Sequence, residues 1–145
     1  MAEPARYGTQ TKARRVALDV LFAAELRGRG IIETFLEARD LSAITVRELT
    51  TKLVYGVAEH LEELDARITA SLDNSWTVER MPAVDRNLAR LAIFELDHCD
   101  TPTGVVISEA VRLAQELSTD GSPSFLNGLL SKAAKTRETT SENNS

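Results

Sequence analysis

Only one cysteine, Cys99, occurs in 145 residues, and a lone thiol cannot close an intrachain disulfide. Histidine is nearly as scarce. His60 and His98 have no cysteine or second histidine at the short spacings of metal sites. Each therefore reads as an isolated residue, His60 at a helix junction and His98 at a helix C-terminus, where a cation is favourable. The seven glycines and four prolines are scattered, with no G-x-x-x-x-G-K phosphate loop. No stretch approaches the ~20 apolar residues of a membrane span, and the opening "MAEPARYGTQTKARR" has no apolar signal core. These absences predict a soluble cytoplasmic protein without a membrane segment. His98 and Cys99 are adjacent as a nucleophilic pair would need, but neighbouring side chains on a helix end diverge, so Cys99 reads as a structural thiol. Acidic neighbours such as Glu62 and Glu63 read as a solvated helix face. No catalytic residue, cofactor site or metal site is expected.

What is present is helix periodicity almost throughout. The first helix is expected over about residues 11–26, with Val16, Ala17, Val20, Leu21 and Ala24 as its inward stripe and Gly28 available for a left-handed end. A second covers about 31–40, with Ile32, Phe35 and Leu36 at i, i+3, i+4. A third ends near Ala58, and a fourth follows with little or no loop, carrying Leu61, Leu64, Ile68 and Leu72. Residues 82–98 are apolar over much of their circumference, which marks a central helix. Val106, Ala110, Leu113, Ala114 and Leu117 stripe the next. In the last helix Ser122 reads as an N-cap with Pro123 at the first position, and Phe125, Leu129 and Leu130 face inward. The fold class predicted is all-α, about seven helices, with a flexible arm at 1–10, a folded region at 11–135 and a disordered polar tail at 136–145.

Charge is uneven along this frame. The chain carries a net charge of -5, yet residues 1–30 hold six cations against three acids. That leaves a segment of +3 ahead of a body of -8. An acidic body with a basic arm suggests two surfaces with different partners. Lys12, Arg14 and Arg15 form the densest basic cluster, at the end of the first helix where the dipole disfavours cations. A bound phosphate at that helix end would resolve the conflict. The alternative is that "KARR" only solvates an exposed turn.

Three stretches resemble the NusB family of bacterial antitermination factors. In "MPAVDRNLARLAIFEL", Val84-Asp85-Arg86, Leu88, Arg90 and Glu95-Leu96 match the family's central helix. Pro102, Val105, Ile107, Glu109, Ala110, Val111, Leu113 and Ala114 match the following helix, and "FLNGLL" at 125–130 matches the next. "KARRVALDVLF" is similar to the family's arginine-rich first helix. The resemblance spans about residues 11–135. It implies two packed three-helix-type subdomains and no enzymatic activity. It further implies binding of boxA, a single-stranded RNA element of ribosomal RNA leader transcripts, together with a small-subunit ribosomal protein acting as Nus factor E. The pair joins an RNA polymerase complex that suppresses termination.

Carried over by position, the resemblance implies phosphate contacts for Lys12, Arg14 and Arg15 and an RNA-facing aromatic at Phe22, where relatives often have Tyr. Base stacking survives that change; a hydroxyl hydrogen bond does not. Ser122, Phe125 and Asn127 lie in a second RNA-linked region, of which Ser122 and Asn127 are the candidate contacts; Phe125 reads first as core, and Asn127 also as a local backbone partner. Gly121 stands where some relatives carry an acid. Glu79 and Asp85 match acids linked to the protein partner, or else serve as first-turn acids for the next helix. The basic motif is thinner than in relatives with four or more arginines, and Val16 interrupts it. Two other readings remain: a protein-interaction module that forms a homodimer, and a stand-alone relative of the NusB-like domain found in RNA methyltransferases.

Overall fold

The computed structural model describes residues 8–73 and 75–143. Among these are seven α-helices, one 3₁₀ turn and no strand, so the expected all-α class is observed. The chain divides into two compact units between Tyr55 and Gly56. The first contains α1 (Thr9–Arg27), α2 (Ile31–Asp40) and the first two turns of α3 (Glu48–Glu59). The second contains the rest of α3, then α4 (Leu61–Ser71), the 3₁₀ turn Val78–Arg80, α5 (Ala83–His98), α6 (Thr103–Leu117) and α7 (Ser122–Asn143).

In the first unit α1 packs on α2. The core face of α1 is wider than the expected stripe. Ala13, Ala17, Leu18, Val20, Leu21 and Ala24 are all buried, whereas Val16 is half-buried. Gly28 ends α1 in the left-handed conformation at φ 64°, where a Cβ would be strained. The Arg29 N–H then reaches back to the Ala24 carbonyl at 2.9 Å, which closes the helix end with a six-residue return. Phe35 of α2 is 1% exposed and meets the edge of the Tyr55 ring, with centroids 5.9 Å apart. Burial of such a ring is worth about 1.5–3 kcal/mol. The Thr50 hydroxyl donates to the Ala13 carbonyl at 3.0 Å, tying α3 to α1.

The second unit is built around α5, which packs against α4, α6 and α7. Its buried residues include Leu88, Ala89, Leu91, Ala92, Ile93, Phe94 and Leu96, as a central helix requires. Val84, expected inward, is only half-buried. Polar side chains stitch this unit at its edges. Arg67 of α4 makes a two-pronged pair with Asp97 of α5, both bonds 2.8 Å, and donates to the Ala133 carbonyl of α7 at 3.0 Å. Those Asp97 bonds, the largest effect, hold the Arg67 guanidinium above its ordinary range. Arg90 pairs in the same two-pronged way with Asp65.

Three boundaries depart from the sequence reading. α1 begins at Thr9, so two residues of the expected arm are helical, while residues 1–7 lie outside the described ones. α7 begins at Ser122 itself, which makes Ser122 its first residue and not a cap preceding it. α7 also continues to Asn143, through much of the stretch expected to be disordered. Extending an existing helix fixes one residue per new hydrogen bond, so polar residues prolong it without a core to bury. The Phe125 assignment is corrected as well: Leu126 is the fully buried residue of that turn, and Phe125 is half-buried.

Candidate RNA-binding surface

The earlier start of α1 changes the electrostatics of the basic cluster. Lys12 is the fourth helical residue, and its N–H is already bonded to the Gly8 carbonyl at 3.1 Å. Arg14 and Arg15 fall in the second turn, where the dipole has largely faded. Their placement near the wrong helix end therefore carries little penalty. The three cations are also not equivalent. Lys12 is exposed, Arg15 is half-buried, and Arg14 is only 7% exposed. Arg14 and Arg15 both make interactions within the protein, but burial withdraws only Arg14, so the expected three-cation patch presents mainly Lys12 and Arg15. Arg15 in turn faces Asp19. The Asp19 residue is exposed overall, yet loss of water around its carboxyl raises it above the ordinary range, and the Arg15 charge opposes that rise. Phe22, two turns further on, is half-buried and keeps part of its ring accessible.

The residues expected in the second unit separate into two groups. Asp85 and Ser122 are buried, 3% and 2% exposed. They hold each other: the Ser122 hydroxyl donates to Asp85 Oδ2 at 2.8 Å, and the Ser118 hydroxyl donates to Asp85 Oδ1 at 2.5 Å. Thr119 adds a hydroxyl contact to Ser122 at 2.8 Å. This cluster pins the start of α5 to the α6–α7 corner. Both side chains, expected as contacts for a protein and for RNA, are nearly buried at the wall of a groove, where each is already bonded to the other. Buried carboxylates and hydroxyls find each other because each left alone would lose its hydrogen bonds to water.

Glu79 and Asn127 are exposed. Glu79 sits on the 3₁₀ turn Val78–Arg80. Arg86 of α5 holds that turn by donating to the carbonyls of Val78 at 3.0 Å and Met81 at 2.7 Å. Glu79 is thus an outward acid on a clamped backbone.

The sequence reading missed a neighbouring aromatic pair. Trp76 is 45% exposed, and its ring lies 6.0 Å from that of Phe125 at a tilt of 47°. Two shallow grooves flank the pair. One, about 320 Å³, is lined by Leu72, Ser124, Gly128 and Lys132 beside the rings. The other, about 240 Å³, is lined by Pro82, Asp85, Thr119, Gly121 and Ser122. Partly exposed rings with a lysine alongside offer faces for bases and a cation for a phosphate. Trp76 is the only tryptophan in the chain, and its place in a non-helical break was the available signal.

Among the described residues, no helix is long and apolar enough to cross a membrane. A model of the NusB family matches residues 11–135. The chain is 48% identical over 128 residues to the transcription antitermination protein NusB of Salinispora arenicola, across 86% of this chain and 93% of that protein. It is equally similar, 48% over 128 residues, to the protein of the same name from Cutibacterium acnes, covering 88% of this chain but only 49% of that longer relative. A solved complex of the antitermination factors NusB and NusE with double-stranded RNA superimposes with a TM-score of 0.76 at 30% identity, over 88% of this chain and 96% of that one. With the match spanning nearly all of the helical region just described, the chain belongs to the NusB family of transcription antitermination proteins.

Proposed function

We propose that this protein is a non-catalytic adaptor that binds boxA single-stranded RNA together with the small-subunit ribosomal protein acting as Nus factor E. In this role it takes part in an RNA polymerase antitermination complex that keeps transcription of ribosomal RNA operons processive. The observation that carries the reading is the likeness to a NusB–NusE complex holding RNA. The residues are compatible with it. Lys12 and Arg15 supply cations, and Phe22 and the Trp76–Phe125 pair supply aromatic faces. Splayed bases of single-stranded RNA stack on such rings. Exposed Glu79, on its clamped turn, offers a negative charge to a basic ribosomal partner.

The test is gel retardation of a boxA RNA by this chain, by the ribosomal partner, and by both together, across a salt series. Retardation strongest with both proteins is expected. Replacing Lys12 and Arg15 by alanine should weaken binding and flatten the salt slope by about 0.7 for each phosphate no longer neutralised. Unchanged affinity and slope would remove α1 from the RNA surface. Absence of any ternary complex would overturn the adaptor reading.

A further inference from the structure

His60 and His98 were expected to stand alone, and the fold brings them together. His60 occupies the junction before α4. His98 is the last residue of α5. Their rings stack with centroids 4.3 Å apart and planes inclined by 23°. Glu63, in the first turn of α4, places one carboxylate oxygen against each ring. His60 Nδ1 lies 3.0 Å from Glu63 Oε2, and His98 Nε2 lies 3.3 Å from Glu63 Oε1. Phe94, one turn before His98, stacks under the His98 ring at 5.2 Å and fixes the floor of the cluster.

We infer that His60, Glu63 and His98 form a surface site for a divalent transition-metal ion, with zinc as the best fit. Three ligand atoms, two imidazole nitrogens and one carboxylate oxygen, lie within 4.8 Å of one another. In a tetrahedral zinc site with bonds near 2.0–2.1 Å, neighbouring ligand atoms are about 3.3 Å apart. Each imidazole nitrogen lies near that distance from one Glu63 oxygen, His60 from Oε2 and His98 from Oε1, and a small turn of the carboxylate would present a single oxygen to an ion held by both rings. The donor set selects the metal: imidazole suits zinc, copper and nickel, whereas calcium and magnesium take oxygen ligands.

Local features leave these groups available. His60 makes no side-chain capping bond to α4, and its own N–H is satisfied by the Gly56 carbonyl at 3.1 Å. Glu63 stands three residues after His60, where a capping-box acid would turn back to the helix start; its two oxygens face the two imidazoles instead. The side chains of His60, Glu63 and His98 are 35%, 50% and 30% exposed, so an ion can reach them from solvent. Arg67, the nearby cation felt by Glu63, makes its hydrogen bonds to Asp97 and not to Glu63, so the Glu63 oxygens stay directed at the imidazoles. Three protein ligands leave a further position for water or for a ligand from a docked molecule. A bound ion would link the beginning of α4 to the end of α5.

Zinc chloride titrated into the intact metal-free chain, in competition with a chromophoric chelator, measures the site directly. One equivalent of zinc is expected to bind. Cobalt(II) in its place should give the visible bands of a four- or five-coordinate nitrogen–oxygen site. Glu63→Ala and His98→Ala should each weaken zinc by at least about tenfold. Cys99→Ser, next to His98, should leave both affinity and spectrum unchanged. Circular dichroism checks folding; Glu63, half-exposed, gives the decisive variant should His98→Ala unfold. No zinc uptake would overturn the inference and leave the triad a hydrogen-bonded clasp. Uptake insensitive to Glu63→Ala, or abolished by Cys99→Ser, would overturn it equally by placing the metal elsewhere.

Discussion

Replacing Gly56 by alanine tests the packing at the heart of the second unit. Most glycines within helices are improved by alanine, which gains about 0.8–1 kcal/mol of helix propensity. Gly56 has no positive φ that would forbid the change. The obstacle is Phe94. A Cβ built on Gly56 would lie 2.1 Å from Phe94 Cζ and 2.3 Å from Cε1, against an ordinary carbon–carbon contact of about 3.5–4.0 Å. The ring must therefore retreat by well over an ångström. It has little room to do so, being 5% exposed and stacked against His98. Overpacking of this kind costs about 1–3 kcal/mol. With the ring held this firmly, the upper end applies, and after the propensity gain the net loss is about 2 kcal/mol. The melting temperature should fall by about 4–8 °C for a chain of this size.

Urea denaturation followed by circular dichroism would measure the change, with Gly128→Ala as the control. Nothing lies within 4 Å of a Cβ at Gly128, so that substitution should stabilise by about 0.8–1 kcal/mol. Phe94→Leu completes a double-mutant cycle. Removing the ring should relieve the clash, so the pair should couple favourably by about 1–2 kcal/mol. A Gly56→Ala variant as stabilised as Gly128→Ala, or a cycle without coupling, would refute the reasoning.

The other predictions concern polar groups. Ser122→Ala removes one of the two hydroxyls that satisfy buried Asp85, and should destabilise by about 1–3 kcal/mol in denaturant melts; a change within about 0.5 kcal/mol, the range typical of surface sites, would instead place Ser122 at the surface. On the outer face of α2, Arg29 bonds Glu33 at 2.9 Å and also pairs with Glu37. The Arg29 hydrogen bond and charge hold the Glu33 carboxyl below its ordinary range. A depressed folded-state pKa gives stability that is complete above the ordinary carboxylate pKa and disappears as pH falls through the lowered one. In Arg29→Ala the Glu33 midpoint, followed by NMR titration, should rise to the ordinary range; an unmoved midpoint would show that the ion pair does not form in solution.

Local patterning made the helices legible and little of the chemistry. The seven helices follow from apolar spacing near 3.6 residues, a property of each segment alone, and Gly28 marked the end of α1 because only glycine takes a left-handed φ freely. The family motifs were legible for the same reason, since they are short runs within α1, α5, α6 and α7. Side-chain roles were not local. Asp85 and Ser122 looked like surface contact residues until folding placed them together from thirty-seven positions apart. Arg14 sat in a basic run indistinguishable from its neighbours, but the rotation of α1 against its surroundings buried it and left Lys12 outside. Trp76 met Phe125, and His60 met His98, across separate helices and a loop. The sequence by itself determined the number and order of the helices and which family the chain resembles, though not where α1 begins or how far α7 extends, because amphipathic period is written over a few neighbouring residues and weakens where no core face is buried. Only the tertiary structure decided which charges and rings reach solvent and which are spent inside, because burial is settled by how whole helices pack.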